Sequence, residues 1–357
     1  MAIVALATLA PRPAGSCSTF YIGRCERPVF GKNYDWSVDA GLLIVNKRGV
    51  SKVAMATDRP VAWTSKYGSV TFNQYGRELP SGGMNEAGLV VELMWLDDSE
   101  YPAPDSRPGL GKMQWIQYQL DNSATVDDVI ASDSKIRIER GGSAKIHYLV
   151  ADAGGRCATI EFLSGKLVCH TKDTLPWGVL TNHTYASSLA HLGRFDGFGG
   201  SLPVSANKTS LGRFVNAAAM VSRFDEHGDD SSVDYAFAIL DRVAQGDYTK
   251  WSIVYDIRGS TIHFRTFANG NRRSVALASC DFDCESPVRV LDVNTELTGD
   301  VTNDFVPYSY DLNRDLIETA FDGTSFLKSV SSETRRGLAE YPEGLDCVGN
   351  ARRDTGR

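Results

Sequence analysis

Residues 10–39, APRPAGSCSTFYIGRCERPVFGKNYDWSVD, contain the segment on which the fold depends. Cys17 follows a run of small residues and opens a stretch of alternating apolar character that is typical of a β-strand. A second strand is expected over residues 28–36, after a turn near Glu26 and Arg27. Four roles are open to Cys17: a buried apolar side chain, half of a disulfide, a lipid attachment site, or a nucleophile that cleavage places at a new N-terminus.

The residues before Cys17 resemble an export signal. An apolar block, AIVALATLA, is followed by PRPAGS, so that Ala14 and Ser16 lie three positions and one position before Cys17. A short apolar block with a small-x-small ending is typical of a secretory signal, although no positively charged stretch precedes it. The alternative is a disordered tail. We expect residues 1–16 to be an export signal or pro-segment that is removed, leaving residues 17–357 as a single domain in the periplasm or outside the cell.

The charge pattern excludes two classes of partner. The formal net charge is −7, and no run of Lys or Arg is longer than two residues. Binding to nucleic acid irrespective of its base sequence needs concentrated positive charge, so no nucleic-acid partner is expected. No stretch approaches the roughly 18 to 20 apolar residues of a membrane helix, so no membrane span is expected either.

The cysteine count indicates at least one unpaired thiol. Seven cysteines in an exported protein leave at least one without a partner, and Cys17 is the candidate. Cys280 and Cys284, in CDFDC, are close enough to form a local disulfide, although spacing alone does not establish one. A zinc site would need a second cysteine pair or histidines at ligand spacing, and the sequence has neither. We therefore expect no metal and no cofactor. The remaining cysteines are Cys25, Cys157, Cys169 and Cys347.

Blocks of strands, then helices, then strands predict one α+β domain with antiparallel sheets covered by helices. Strands are predicted at STFYI, PVFGKNYDW, GLLIVNK, SVTFNQY and GLVVELMWL, followed by helices at KMQWIQYQLDN and TVDDVIAS. An antiparallel meander is predicted next, at KIHYLVADA, CATIEFL and KLVCHT, and a long loop is predicted over residues 186–210. Two helices are then predicted at LGRFVNAAAMVSRF and SSVDYAFAILDRVAQ. A hairpin is predicted at WSIVYDIRGSTIHFRTF, and a further helix at YDLNRDLIETAF.

Cleavage before Cys17 would create a self-sufficient nucleophile. The new α-amine, with an intrinsic pKa of about 7.7 to 8.0, would share a residue with the thiol. The amine accepts the thiol proton and later protonates the departing amine. No histidine is then needed as the base, and the six histidines are scattered and lie in no recognisable protease signature.

Such a nucleophile needs partners, and four residues are candidates. A carboxylate or amide would hold the ammonium, donors would stabilise the oxyanion, and a positive charge would poise the thiolate. Lys32 and Asp35 lie on the second strand, Asn182 follows an apolar strand, and Arg213 lies in the first turn of a helix. Each also has a structural alternative: Asp35 as a turn cap, Asn182 as a turn residue, and Lys32 and Arg213 as solvated surface charges.

Several motifs together resemble one enzyme family. Cys17 is followed, in order, by FGKNYDWS, SGGMNEAGLVVELMW, PWGVLTNHTY, SLGRFVNAA and YTKWSIVYDIRGSTIHFRT. These motifs, which span residues 17–266, are similar to those of the choloylglycine hydrolase family, whose members are N-terminal-nucleophile hydrolases of linear amides and include bile salt hydrolases and penicillin V acylases. The resemblance implies a four-layer αββα sandwich with the nucleophile at the start of a central strand.

The resemblance also implies roles for individual residues. Cys17 matches the nucleophile, and Asp35 matches the acid that contacts its α-amine. Asn182 matches the amide that helps to form the oxyanion hole, and Arg213 matches the arginine of the polar network around the thiol. Trp95 occupies the position whose backbone N–H is the other oxyanion donor.

This sequence departs from the family pattern at two places. Lys32 stands where the family usually has Arg beside the nucleophile, so the charge is kept but the planar fork of donors is lost. Trp95 and Trp36 indicate an aromatic-walled entrance that binds substrate, as in acylases of Gram-negative bacteria acting on phenoxyacetyl-penicillin and long-chain N-acyl homoserine lactones. The alternative is that both tryptophans are core residues.

The expected protein is an exported cysteine amidase that forms a thioester with the acyl group of a small-molecule amide. Penicillin V acylase or acyl-homoserine-lactone acylase activity ranks first, and bile salt hydrolase activity second. A non-catalytic binding protein on the same scaffold, favoured by Lys32, and a lipoprotein acylated at Cys17 are the other interpretations. The family implies a dimer or tetramer, although no element of the sequence specifies one. The sequence indicates no role for residues 281–357.

Overall fold

The structure is a computed structural model that describes residues 16–23, 26–56, 58–224 and 231–348. Its described α-helices are α1 Lys112–Asn122, α2 Val126–Ser132, α3 Tyr185–Leu192, α4 Ser210–Arg223, α5 Ser232–Val243, α6 Tyr310–Gly323 and α7 Ser332–Glu340. The strands are β1 Ser18–Ile22, β2 Val29–Asp35, β3 Leu42–Asn46, β4 Val50–Val53, β5 Ala62–Thr64, β6 Ser69–Asn73, β7 Pro80–Asn85, β8 Val90–Trp95, β9 Gly109–Leu110, β10 Arg137–Ile138, β11 Ile146–Ala151, β12 Cys157–Leu163, β13 Lys166–Thr171, β14 Val179–Leu180, β15 Thr249–Asp256, β16 Thr261–Thr266, β17 Arg273–Ala276, β18 Arg289–Asp292, β19 Gly299–Asp300, β20 Val306–Pro307 and β21 Asp346–Cys347.

Two large sheets form the centre of the molecule. A seven-stranded sheet has the order β14-β1-β2-β15-β16-β17-β19, and a nine-stranded sheet has the order β13-β12-β11-β8-β7-β6-β3-β18-β20. Apart from the short parallel pair β17–β19, the neighbours in both sheets are antiparallel. The sheets pack face to face, since the ring of Phe72 in the second sheet lies 6.1 Å from Trp251 and 5.8 Å from Phe264 in the first.

Helices cover the outer face of each sheet, which gives the four-layer αββα sandwich that the family resemblance implied. Helices α4 and α5 pack on β1, β2 and β15 of the first sheet, and α3 packs on α4. Helices α1 and α2 pack on β7, β8 and β12 of the second sheet. Among the described residues, no helix combines the length and the apolar character needed to cross a membrane.

Most of the predicted elements are confirmed, but the loop predicted over residues 186–210 is partly wrong. Helix α3 occupies the beginning of that range. The Thr184 side chain accepts a hydrogen bond from the Ser187 N–H, which starts the helix. Tyr185, Ser188 and Leu192 are the buried residues of α3, and their i, i+3, i+7 spacing defines its inner face. The Gly- and Ser-rich composition of the range concealed this short pattern.

The local disulfide between Cys280 and Cys284, which the sequence left open, does not form. Cys284 is instead bonded to Cys347, which lies 63 residues further along the chain. Cys280 is a free thiol, and its Sγ lies 3.7 Å from the Ala276 carbonyl oxygen. Cys17 is free, as expected, and so are Cys157 and Cys169. Cys25 lies outside the described residues.

Residues 310–348, named here the C-terminal segment, pack against the sandwich. The segment contains α6, α7 and β21. Leu316 of α6 packs with Leu42, Ile44 and Val290 at the β3–β18 end of the second sheet. Strand β21 pairs with β4, and the disulfide links the same strand to Cys284. The segment is therefore fastened at both of its ends.

Replacing Cys284 and Cys347 together with serine should lower the free energy of unfolding by about 2–4 kcal/mol, because the disulfide restricts a long loop in the unfolded chain. Urea denaturation under non-reducing conditions measures this change. A Cys169→Ser variant, which removes a free thiol, is the control. A loss no larger than that of the control would contradict the assigned pairing.

Candidate active site

The sheet register brings the candidate residues together around Cys17. Cys17 directly precedes β1, and Ser18 pairs with Asn33 of β2, two residues before Asp35. On the other side of β1, Thr19 pairs with Leu180 of β14, so continuing this antiparallel register brings Asn182 opposite Cys17. Three segments that are distant in the sequence thus end at the same place.

The thiol of Cys17 is enclosed rather than surface-exposed. The residue is 2% exposed, and its Sγ lies 4.0 Å from the carbonyl oxygen of Asp35. Burial raises the pKa of the Cys17 thiol, and the charge of Lys32 is the largest influence in the opposite direction. A thiol in these surroundings depends on a nearby base to lose its proton.

Asp35 is a buried carboxylate with several partners, not a turn cap. Its Oδ1 accepts a hydrogen bond from the Thr249 hydroxyl at 2.5 Å, and its Oδ2 accepts one from Gln245 Nε2 at 2.6 Å. Arg213 Nη1 lies 3.8 Å from Asp35 Oδ2. Burial nevertheless raises the pKa of Asp35 to about 6, with Arg213 the largest influence in the opposite direction.

Arg213 connects the remaining candidates. It lies in the first turn of α4 and is buried, so it is not the solvated charge of the structural alternative. Its Nη1 donates to the Ser16 carbonyl oxygen at 2.6 Å, and its Nη2 donates to Asn182 Oδ1 at 2.6 Å. Asn182 Nδ2 in turn donates to the Trp95 carbonyl oxygen at 2.9 Å. The two residues with expected oxyanion roles are therefore in direct contact.

The peptide bond between Ser16 and Cys17 lies inside this network. The Ser16 carbonyl oxygen accepts hydrogen bonds from Arg213 and, at 2.9 Å, from Gln245 Nε2. These two donors are also the groups that contact Asp35. The chain immediately before Cys17 is thus held by the same side chains that surround the candidate nucleophile.

Lys32 is buried and points toward the second sheet. Its Nζ lies 3.4 Å from Glu92 Oε2 and donates to the Leu93 carbonyl oxygen. Glu92 Oε1 accepts a hydrogen bond from the Tyr255 hydroxyl at 2.5 Å. Burial raises the pKa of Glu92, and Lys32 is the largest influence that lowers it. The solvated alternative for Lys32 is therefore wrong, and its positive charge has a buried partner.

Trp36 and Trp95 line a cavity that contains Cys17. The cavity has a volume of about 410 Å³, and the two tryptophan rings lie 6.3 Å apart. Phe326 of the C-terminal segment packs against both rings, with centroid distances of 6.3 Å to Trp36 and 5.8 Å to Trp95. The tryptophans thus contribute to the general apolar core and also form the wall of a cavity beside the thiol.

Two contacts of the site were missed by sequence reasoning. Gln245 lies in a polar stretch after α5, and nothing in its spacing connects it with Asp35. Thr249 begins the strand that pairs with β2, where it lies opposite Asp35. Thr249 falls within the quoted motif YTKWSIVYDIRGSTIHFRT, so the motif carried a signal for it, whereas Gln245 had none.

Comparisons with known proteins identify the class. A sequence profile described as linear amide C–N hydrolases, choloylglycine hydrolase family, matches residues 17–290. The chain belongs to this family and is a hydrolase that acts on carbon–nitrogen bonds other than peptide bonds. It is 30% identical to a penicillin V acylase of Pectobacterium atrosepticum over 299 residues, which cover 72% of this chain and 79% of the relative.

Solved structures agree with this assignment to the family. The structure of a penicillin V acylase from Agrobacterium tumefaciens matches with a TM-score of 0.73 and 27% identity, and it covers 82% of this chain and 98% of its own. A conjugated bile acid hydrolase from Clostridium perfringens, the C2A mutant, matches with a TM-score of 0.66 and 17% identity over 79% of this chain and 98% of its own. The second similarity shows a shared fold. The chain is thus a linear amide hydrolase of the penicillin V acylase and bile salt hydrolase type.

Replacing Asp35 with asparagine should change how stability depends on pH. The raised pKa of Asp35, about 6 against an ordinary 3.8, means that the folded chain keeps a proton that the unfolded chain has released. Between about pH 4 and pH 6, the parent should therefore lose stability with rising pH relative to Asp35→Asn.

Urea denaturation of the parent and of Asp35→Asn across this pH range gives the difference in their free energies of unfolding. Both proteins are measured without cleavage before Cys17, so that Ser16 is present in each. A difference that stays constant with pH, or that changes in the opposite direction, would contradict the buried electrostatics described for Asp35.

Proposed function

We propose that this protein hydrolyses linear amides that have a bulky apolar acyl group, with Cys17 as the nucleophile after removal of residues 1–16. The observation that carries the proposal is the position of the Ser16–Cys17 peptide bond, whose carbonyl oxygen contacts Arg213 and Gln245 beside Asp35. Cleavage of this bond would leave the α-amine of Cys17 within the same polar network. The family match also begins at Cys17.

The first half of the reaction forms a thioester. The α-amine takes the proton of the Cys17 thiol, and Sγ attacks the carbonyl carbon of the substrate amide. The electron pair of the carbonyl bond moves to oxygen, which faces the Asn182 side chain and the Trp95 backbone N–H. The C–N bond then breaks, and the leaving amine takes the proton from the α-ammonium of Cys17.

The second half regenerates the enzyme. The α-amine accepts a proton from water, and the resulting hydroxide attacks the thioester carbonyl. The C–S bond breaks, the carboxylic acid leaves, and the thiolate regains its proton from the ammonium. Asp35 stabilises the ammonium form of the amine in both halves, and Arg213 holds Asp35 and Asn182 at fixed positions.

The buried thiol explains why the amine is needed. Burial raises the pKa of the Cys17 thiol, so few molecules carry the thiolate at neutral pH. An α-amine with an intrinsic pKa of about 7.7 to 8.0 is a base matched to that pH. Because it belongs to the same residue as the thiol, it needs no separate positioning element.

The cavity and the relatives favour one substrate class over another. The cavity beside Cys17 is lined mainly by apolar side chains, which favours an apolar acyl group. The relatives named as penicillin V acylases are also more similar in sequence than the bile acid hydrolase. We therefore rank penicillin V acylase-like and N-acyl homoserine lactone acylase-like activity first, and bile salt hydrolysis second.

An exported location is part of the proposal. The Cys284–Cys347 disulfide supports it, because disulfides persist in oxidising compartments such as the periplasm. The burial of Cys17 argues against lipid attachment, since a buried sulfur cannot carry a chain into a bilayer. A non-catalytic binding protein on the same scaffold stays the alternative, and amide hydrolysis by the parent protein would exclude it.

Asn182→Ala should lower kcat for amide hydrolysis by about a hundred- to a thousandfold, which is the usual effect of losing one oxyanion donor. Steady-state kinetics on the best substrate would measure it. Asn271→Ala, at an exposed position, is the matched control. A folded Asn182→Ala protein with near-normal kcat would contradict the assigned oxyanion site.

Three substrates test the proposed activity: a phenoxyacetyl amide, a long-chain N-acyl homoserine lactone and a glycine-conjugated bile salt. We expect release of the free amine from at least one of the first two, faster than from the bile salt. A Cys17→Ala variant should abolish that release, because Cys17 supplies the nucleophile in the proposed mechanism. Inactivity of the parent on all three substrates, or full activity of the variant, would contradict the proposal.

A further inference from the structure

The C-terminal segment lies outside the part of the chain that defines the family. The family match ends at residue 290, whereas the segment comprises residues 310–348. The structure nevertheless brings part of this segment to the cavity that contains Cys17. Five of its apolar side chains line that cavity: Phe321, Phe326, Leu327, Val330 and Leu338.

Phe326 is a residue of the segment that contacts the tryptophans of the proposed substrate site. Its half-buried ring packs edge-on against Trp36 and also contacts Trp95, which are the two tryptophans beside Cys17. Aromatic pairs at such distances and angles are favourable, so the three rings support one another's orientation. Together they form an aromatic wall that the family motifs alone would leave incomplete.

The connection between α6 and α7 is held close to the site by specific contacts. The Ser37 hydroxyl donates to the Gly323 carbonyl oxygen at 3.1 Å, and the Tyr75 and Thr324 hydroxyls lie 3.3 Å apart. Gly323 also permits a close approach, since a Cβ atom there would lie 2.4 Å from Val38 Cγ2. These contacts fix the chain just before Phe326.

The rest of the segment is anchored away from the cavity. Asn313 Oδ1 accepts a hydrogen bond from the Arg77 N–H at 2.8 Å, and the Tyr341 hydroxyl donates to the Val53 carbonyl oxygen at 2.9 Å. Strand β21 and the Cys284–Cys347 disulfide attach the end of the segment to β4. The wall is therefore a fixed part of the fold.

The mainly apolar cavity lining also disfavours charged acyl groups. Among its described lining residues the charged one is Lys112, whose Nζ donates to the carbonyl oxygens of Gly141 at 2.5 Å and Gly142 at 3.0 Å. Those two bonds use two of the three N–H donors of its ammonium group. A carboxylate on the acyl chain would have to leave water for apolar surroundings in which at most one lysine N–H could meet it, and this loss of hydration is costly.

We propose that the C-terminal segment determines acyl specificity, with Phe326 as a specificity-determining residue that selects bulky, uncharged apolar acyl groups. The inference rests on the proposed amide hydrolysis at Cys17. An acyl chain long enough to reach the segment gains contact with Phe326, Leu327 and Val330. A short acyl group ends near Cys17 and gains nothing from them.

The test is a series of amides that share one amine and carry acetyl, hexanoyl, decanoyl or phenoxyacetyl groups. Phe326→Ala should lower kcat/KM for the decanoyl and phenoxyacetyl amides by about tenfold or more, while the acetyl amide changes by less than about twofold. The loss should appear mainly in KM, since the apolar contact is the same in the bound substrate and the transition state. Phe267→Ala is the matched control, because the residue is 62% exposed and is not among the residues that line the cavity.

A second variant tests the wall in the opposite way. Val330→Trp adds volume to the same wall, so it should exclude the decanoyl amide and spare the acetyl amide. Phe326→Leu keeps an apolar side chain and should lie between the parent and Phe326→Ala. Equal effects on all four amides, or no effect of Phe326→Ala and Val330→Trp, would overturn the inference.

Binding separates this inference from the proposed function. 1-Decanol, an uncharged chain of the same length that has no amide to hydrolyse, reports occupation of the wall without turnover when its binding is followed by tryptophan fluorescence. Weaker binding by about tenfold or more in Phe326→Ala supports the inference even if the parent hydrolyses none of the amides, which would refute the proposed function alone. Unchanged binding together with unchanged selectivity would refute the inference alone.

Discussion

The buried pair of Asp35 and Arg213 is the constraint on which the site depends. Neither charge is exposed to solvent, and an unpaired charge at either position would cost about 3–5 kcal/mol. Further partners of each member offset part of the cost of burial: Thr249 and Gln245 for the carboxylate, and Ser16 and Asn182 for the guanidinium. The hydrogen bonds of these two groups therefore also hold the chain at Cys17 and the amide of Asn182.

A second buried pair links the two sheets. Lys32 of the first sheet contacts Glu92 of the second, and Tyr255 of the first sheet donates to the same carboxylate. A lysine in place of the family's usual arginine needs fewer hydrogen-bond acceptors, and here the Leu93 carbonyl oxygen and Glu92 supply them. The charge of Lys32 lowers the pKa of the Cys17 thiol against the effect of burial, while the pair itself forms a contact between the two sheets.

The sequence predicted the layers and most of the site because these depend on local patterns and ordered motifs. The strands β1 and β2, the hairpin WSIVYDIRGSTIHFRTF and the helix TVDDVIAS are all visible in the sequence, and each is present in the structure. Gln245 and the Cys284–Cys347 disulfide were not predictable, because each pairing joins segments whose proximity depends on tertiary packing. Phe326 was missed for the same reason, since its partners Trp36 and Trp95 lie more than two hundred residues earlier in the chain.

The proposed mechanism requires that the thiol and a free α-amine belong to one terminal residue. Mass spectrometry of the N-terminal peptide from catalytically active protein measures this. We expect the peptide to begin at Cys17, with its amine and its sulfur unmodified. Active protein that begins at any other residue, or that carries a blocked amine on Cys17, would contradict it.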